Sequence, residues 1–197
     1  MDKVVVYIHG KGGSSDEADI FKPLFCDFNV IGFDYKVTNP WESKEEFCKY
    51  FEDIKNKYSC VYVIANSIGA YFFMNSNCKV NKAFFISPVV DMEKLIFDMM
   101  TWANVSEERL KKEKEIETDF GEVLSWDYLC YVRSNTISLN QETYILYGEN
   151  DNLISYESIL CFVNKTKANL CVMKGGEHWF HTQEQIEFLF NWLKQIS

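Results

Sequence analysis

The sequence predicts an α/β protein, a three-layer α/β/α sandwich with a mostly parallel sheet of about six strands. Three observations predict it. Short, nearly continuous apolar runs recur along the chain, as strands buried on both faces should. Amphipathic helical patterns alternate with them, the signature of βαβ units. No repeat, low-complexity tract or Pro/Gly/Ser-rich linker divides the 197 residues, so residues 1–197 are expected to form one domain large enough for a substantial core.

The first strand is Val4 to Ile8, which ends at His9-Gly10-Lys11-Gly12-Gly13-Ser14. Three glycines there free the backbone and leave amides uncovered. A phosphate-binding loop is the rival reading, but the string completes neither the Walker nor the dinucleotide pattern. Ser14 and Glu17 have capping-box spacing for a helix running towards Phe25. Val30 to Tyr35 reads as a second strand, ending near Asp34 and followed by a turn at Asn39-Pro40. Ser43 and Glu46 form a second capping box, and Phe47, Tyr50, Phe51, Ile54 and Tyr58 recur on one helical face.

Cys60 to Ala65 is the next strand, and Gly69 to Met74 opens a helix. Between them stands Ser67, flanked two residues either way by Ala65 and Gly69. Small neighbours suit a sharp strand-to-helix turn, which lifts the serine Oγ above the sheet edge and aims the Ile68 amide beside it. The alternative is a helix-capping serine with a close-packing glycine. Lys82 to Ser87 follows as a strand stopped by Pro88.

From residue 89 to about 141 the alternation breaks. Met92, Leu95, Ile96, Met99 and Ala103 have helical spacing, and Trp126 to Val132 is aromatic again. Glu107 to Glu117 is a mixed charge run, read as a solvated helical face. The segment is too long for a plain connection and is expected to be a helical insertion over the sheet edge, read as a lid, with simple packing as the alternative. Strand rhythm resumes at Thr143 to Tyr147, before Gly148-Glu149-Asn150-Asp151. A helix bearing Ile159, Phe162 and Val163, a strand Leu170 to Met173 and the loop Gly175-Gly176-Glu177-His178-Trp179 follow. Thr182 and Gln185 make a last capping box, and Ile186, Leu189, Phe190 and Leu193 bury one face of the closing helix.

Composition excludes some partners. The net charge of −9 argues against nucleic acid, because no basic patch offsets repulsion from phosphate, and anionic membrane surfaces are disfavoured likewise. Seven cysteines stand singly with no CxxC pair, which reads as buried free thiols in a reducing compartment. The N-terminus runs straight into a strand with no signal peptide, and no apolar run is long enough for a bilayer. A cytoplasmic protein with no membrane partner is the expectation. The sequence is silent on oligomeric state.

Position is the informative signal. His9, Asp34, Ser67, Asp151 and His178 all fall at or just beyond the C-terminal ends of predicted strands, which in a parallel sheet share one edge where ligands bind. A serine hydroxyl needs a base to take its proton, and histidine, with an unperturbed pKa of about 6.5, suits that task. A carboxylate holds the imidazole tautomer and stabilises the imidazolium. Ala65-Asn66-Ser67-Ile68-Gly69, followed in order by Asp151 and His178, resembles the α/β-hydrolase superfamily. His9-Gly10-Lys11-Gly12-Gly13 is similar to that superfamily's oxyanion loop.

The resemblance covers the chain apart from the insertion, which falls where such enzymes carry lids. It implies Ser67 as nucleophile, His178 as base, Asp151 as orienting acid, and the amides of Lys11 and Ile68 as oxyanion donors. The chain departs from the pattern at Ala65, where the elbow's first glycine is usual, and at Lys11, where many esterases carry glycine. Gly10, Gly12, Trp41 and Trp179 are candidate pocket residues, the tryptophans equally readable as core aromatics.

Several residues compete for these roles. His181 and His9 rival His178, with His181 read as a capping residue and His9 as a brace for the oxyanion loop. Glu149, Asp91 and Asp34 rival Asp151. No metal or cofactor is implied. The expected activity is hydrolysis of a small carboxylic ester or related acyl compound through an acyl-enzyme. A thioesterase or peptidase using the same groups, or a non-catalytic binding protein on the same fold, are the alternatives.

Overall fold

Alternation within the strands decides which layer each side chain meets. In the computed structural model, which describes residues 2–197, Val4, Val6 and Ile8 of β1 (Lys3–Ile8) enter one apolar cluster while Val5 and Tyr7 enter a second. The same split holds in β3 (Cys60–Asn66), where Val61, Val63 and Ala65 face the first cluster and Ile64 the second. Both faces of the sheet are therefore dry, and this is why its strands read as unbroken apolar runs.

Six parallel strands make the sheet in the order β2-β1-β3-β4-β7-β8, with β2 at Asn29–Gly32, β4 at Lys82–Ile86, β7 at Glu142–Gly148 and β8 at Asn169–Met173. Register pairs Ile8 with Ala65, Asn66 with Ile86, Ile86 with Leu146 and Gly148 with Met173. The strand ends thus form one level edge. From β1 the chain steps outward to β2 and afterwards proceeds in the opposite direction from β3. Connections diverge between β1 and β3, and such a divergence opens a crevice at the C-terminal edge.

Helices α1 (Pro40–Lys57), α2 (Ile68–Ser76) and α6 (Tyr156–Thr166) cover the first face, through Phe47, Phe51, Phe72, Ile159 and Phe162 among others. A 3-10 helical segment, Ser15–Leu24, and α7 (Gln183–Ile196) cover the second through Phe21, Leu189, Trp192 and Leu193. The sequence predicts an ordinary helix from Ser14. The tighter 3-10 form found there carries Pro23 in its last turn, which lacks the N–H an α-helical ladder needs.

Two other expectations need correction. The helix expected from Ser43 begins earlier, at Pro40, because the Asn39 side chain accepts the Glu42 amide at 2.9 Å and proline suits the first helical position. Ser43 is instead buried in the first turn, donating to the Pro40 carbonyl at 3.1 Å. The second strand stops at Gly32, short of Tyr35. Phe33 stacks on Tyr50 at 3.8 Å and Tyr35 on His9 at 4.3 Å, so ring packing takes over from the ladder.

The insertion is not all helical. It comprises α3 (Met92–Trp102), α4 (Glu107–Glu113), an antiparallel hairpin of β5 (Glu115–Glu117) and β6 (Val123–Ser125), and α5 (Trp126–Ser134). The charge run is split at Lys114, whose φ of 73° ends α4. Glu115-Ile116-Glu117 then alternates as a strand with only Ile116 buried. Leu110, Ile116, Leu124 and Leu129 join the first apolar cluster, so this segment shares the core of the sheet. Arg133 ties α5 to the two preceding helices, bonding Glu93 at 2.7 Å and Glu107 at 2.7 and 3.0 Å.

All seven cysteines are free thiols, but none is buried as the sequence predicts: Cys26 and Cys161 are exposed and the other five are half-buried. Among the described residues, no helix is long and apolar enough to cross a membrane.

Candidate functional site

Ser67 stands on the turn from β3 into α2 with φ 50° and ψ −119°, a backbone conformation that costs a non-glycine residue about 1–3 kcal/mol. The surroundings hold it there. Its amide donates to the Ile86 carbonyl at 3.0 Å, and its carbonyl accepts the amides of Ala70 and Val89, each at 3.2 Å. Two residues on, a Cβ at Gly69 would lie 2.3 Å from the His9 carbonyl oxygen and 2.9 Å from Ile8 Cγ2. Glycine is needed there so that α2 can leave the turn close against β1. Ala65, wholly buried, meets the looser requirement on the other side.

Replacement of Gly69 by alanine is expected to destabilise the protein by about 3 kcal/mol or more, since the clash is with backbone and cannot be relieved by a rotamer. A melting-temperature drop of less than about 5 °C for that variant would contradict the close approach.

His178 closes on Ser67 from the loop after β8. Its Nε2 lies 2.9 Å from Ser67 Oγ, and its Nδ1 lies 2.7 Å from Asp151 Oδ2. The other Asp151 oxygen accepts the amides of Leu153 and Ile154 at 2.9 and 2.8 Å, so the carboxylate is aimed by its own loop. The Asp151 side chain is fully buried and His178 nearly so. A carboxylate in that setting requires a cationic or N–H partner, and the imidazole N–H answers it.

The two loops meet backbone to backbone. Asn150 donates to Gly176 at 2.7 Å, and a Cβ at Gly148 would lie 2.5 Å from the Glu177 carbonyl oxygen. Tyr147 donates to Ile154 at 2.7 Å and ties down the far side of the acid's loop.

The glycine-rich loop after β1 lies on the opposite side of Ser67. A Cβ at Gly10 would stand 3.4 Å from Ser67 Cβ, the Gly13 amide closes a turn on the Gly10 carbonyl at 3.2 Å, and Gly12 has φ 75°. Lys11 occupies this turn, while Ile68 is the first residue of α2, where backbone N–H groups have no intrahelical acceptor. The Lys11 ammonium is ion-paired with Glu122 at the tip of the β5–β6 hairpin, which brings the insertion over the loop. His9 braces the same loop: its Nδ1 contacts the Gly10 carbonyl at 2.8 Å, its ring stacks on Tyr35, and the Tyr35 hydroxyl donates to the His9 carbonyl.

The competing residues lie elsewhere. Asp91 caps α3 by accepting the Lys94 amide, Glu149 accepts the Gly175 amide, and Asp34 is exposed and paired with Lys36. His181 is exposed, its ring nitrogen facing the Trp179 carbonyl ahead of α7. Trp179 itself is 68% exposed, and Trp41 packs edgewise on Tyr128 and Tyr131 of the insertion.

Among the described residues, four buried side-chain polar atoms lack a hydrogen-bond partner: Asn66 Oδ1, Tyr71 OH, Ser87 Oγ and Tyr128 OH. Three of the four sit on or beside the turn, since Asn66 precedes Ser67, Tyr71 follows it by one helical turn, and Ser87 comes directly after β4, whose Ile86 carbonyl accepts the Ser67 amide. Buried polar atoms are usually satisfied, so this concentration is informative. Burial pushes the Tyr71 and Tyr128 phenols well above the ordinary tyrosine range, with neighbouring phenols adding to the effect, so both remain protonated donors. No motif in the sequence marks out either phenol. Tyr71 carries one faint signal: it is a lone phenol in the apolar first turns of α2.

Among the described residues, no group of three or more His, Cys, Asp or Glu side chains is arranged to hold a metal ion. No family model and no curated protein matches the chain in sequence. Solved structures do match in shape. A protein of Agrobacterium vitis S4 described as a hydrolase superposes with a TM-score of 0.78 at 14% identity, over 98% of this chain and 87% of that one. Mouse alpha/beta hydrolase domain-containing protein 10 gives 0.77 at 11% identity, over 98% and 88%. An esterase of Pyrococcus furiosus gives 0.62 at 19% identity, over 99% and 80%. The architecture is similar throughout, with identities low enough that the likeness speaks for the fold.

Proposed function

We propose that this chain, which has the α/β-hydrolase fold, is a serine hydrolase that cleaves a small carboxylic ester through an acyl-enzyme intermediate. One observation carries the proposal: Ser67, His178 and Asp151, far apart in sequence, form an unbroken chain of contacts at 2.9 and 2.7 Å.

Ser67 Oγ attacks the ester carbonyl carbon while its proton passes to His178 Nε2. Negative charge gathers on the carbonyl oxygen, where the Ile68 amide and an amide of the Gly10–Gly12 turn, assigned to Lys11, receive it. Donors so aimed are worth about a hundred- to a thousand-fold each. The imidazolium, steadied by Asp151, gives its proton to the departing alkoxide. A water molecule then repeats the sequence on the acyl-enzyme and frees the acid. The structural neighbours include an esterase, which favours the ester reading. We assign Gly10, which packs beside Ser67, to the substrate pocket, with Gly12, Trp41 and Trp179 as further candidates for it.

A fluorophosphonate probe is expected to label the folded protein at a single serine, identified by mass spectrometry as the peptide containing Ser67. Labelling at another serine, or none in protein shown to be folded, would sink the assignment. Matched ester, thioester and amide substrates are expected to rank in that order by kcat/KM.

A further inference from the structure

The glycine-rich loop after β1 is tied at both ends by one carboxylate that the chemistry above does not use. Glu17 is half-buried in the first turn of the 3-10 segment that follows the loop. Its Oε1 accepts the Ser14 amide at 3.2 Å, and its Oε2 accepts the Tyr7 hydroxyl at 2.5 Å. Tyr7 belongs to β1 and Ser14 directly follows Gly13. The strand that enters the loop is thereby joined to the residue that leaves it.

Helix capping alone does not account for this arrangement. A capping box needs only the amide contact. Here a buried phenol takes the second oxygen, and burial, with Glu17 adding to it, holds the Tyr7 pKa far above the ordinary tyrosine range, so the hydroxyl stays a donor. The carboxylate also packs on the loop: a Cβ at Gly13 would lie 2.8 Å from Oε1 and 3.1 Å from Oε2. Gly13 is the residue whose amide closes the turn on the Gly10 carbonyl, with Lys11 and Gly12 between them. The elbow reaches the same point. Asn66, directly before Ser67, brings its side-chain amide beside the Tyr7 hydroxyl, and its Cγ would lie 3.7 Å from a Cβ at Gly10.

We propose that Glu17 and Tyr7 are positioning residues for the oxyanion site, fixing the Gly10–Gly13 turn so that the Lys11 amide stays aimed at the carbonyl oxygen while Ser67 attacks. The inference rests on the serine-hydrolase reading. An oxyanion donor helps only if it is in place before the charge develops. The turn has little stiffness of its own, with glycine at three of its four positions, and a Cβ at Gly12 would meet nothing within 4 Å. The ion pair from Lys11 to Glu122 is exposed and holds weakly.

The test is hydrolysis of 4-nitrophenyl acetate by the parent and by Tyr7→Phe, Glu17→Ala, Glu17→Gln and Asp16→Asn. Tyr7→Phe and Glu17→Ala are each expected to lower kcat by about tenfold with KM within about twofold, since a donor moved off its aim loses part of the hundred- to thousand-fold it is worth. The double variant is expected to lose about as much as the worse single one, because the two side chains act as a unit. Glu17→Gln, whose amide can still bridge Ser14 and Tyr7, is expected to keep about a third or more of the parent kcat. Asp16→Asn, at the exposed first-turn acid next to Glu17, is expected to leave kcat unchanged. Deuterium exchange, which needs no turnover, is expected to quicken over residues 10–14 in Tyr7→Phe and hardly elsewhere.

Parent-like kcat in Tyr7→Phe, a loss confined to KM, an equal loss in Asp16→Asn, or unchanged exchange over residues 10–14 would each overturn the proposal. Failure of the hydrolase reading leaves a different mark. A parent that cleaves no ester and takes no fluorophosphonate removes that reading and the positioning role with it. A parent that does both, while Tyr7→Phe keeps pace with it, removes only the positioning role.

Discussion

Ser67→Ala is expected to lower kcat for 4-nitrophenyl acetate by at least about 10⁴-fold, because nucleophile, base and acid act as a unit and losing one member forfeits most of their joint effect. The fold should survive. Alanine tolerates the 50° φ no better and no worse than serine, and the hydrogen bonds that fix the turn all involve the backbone of residue 67. What disappears is the single contact to His178 Nε2 at 2.9 Å. The melting temperature is therefore expected to stay within a few degrees of the parent, since a net hydrogen bond is worth only about 1 kcal/mol. That separation of effects is the strength of the test. A variant that melts normally yet keeps more than about 1% of the parent rate would place the chemistry on some other group, because loss of a true nucleophile leaves far less than this.

Much of the sheet was legible because its strands are apolar on both faces. Runs such as Val4 to Ile8 and Cys60 to Ala65 have no other comfortable setting in a chain of mixed composition. The meeting of Ser67, His178 and Asp151 was legible for a related reason. Ser67, Asp151 and His178 each follow such a run, and a parallel sheet brings strand ends to a common edge however far apart they lie in sequence. Where packing overrode local spacing, legibility failed. Ser43 and Glu46 have the spacing of a capping box, but Asn39-Pro40 three residues earlier offers a better start, and the helix takes it.

The insertion was harder to read for a physical reason as well. Alternating Glu115-Ile116-Glu117 is too short to outvote the helical charges around it, and its β6 partner becomes visible only through the pairing of Ile116 with Leu124. That hairpin carries Glu122 to the Lys11 ammonium, an ion pair that joins the insertion to the glycine-rich loop. An ion pair as exposed as this one is worth little in stability, so it orients the hairpin more than it anchors it. Exposed Trp102 and Phe120 contact each other at 6.1 Å beside it. The anchor is apolar and buried, through Leu110, Leu124 and Leu129.

Asp151→Asn is expected to lower kcat by about 10⁴-fold while leaving the backbone of the site in place. Asparagine keeps an oxygen for the amides of Leu153 and Ile154, which now bond Oδ1 at 2.9 and 2.8 Å. Its NH2 group then faces His178 Nδ1, where a carboxylate oxygen now lies at 2.7 Å. Two donors cannot share that contact, so the ring must accept there and carry its proton on Nε2. In that tautomer Nε2 points a hydrogen at Ser67 Oγ and has no lone pair with which to take the serine's proton. The loss falls on kcat and only weakly on KM, because the substrate touches neither Asp151 nor His178 Nδ1. Stability should fall by no more than about 3 kcal/mol, the worth of one charge-assisted hydrogen bond. A variant retaining more than a tenth of the parent kcat would mean that the orienting acid is another carboxylate, and Asp91 or Glu149 would have to leave its present backbone partner to serve.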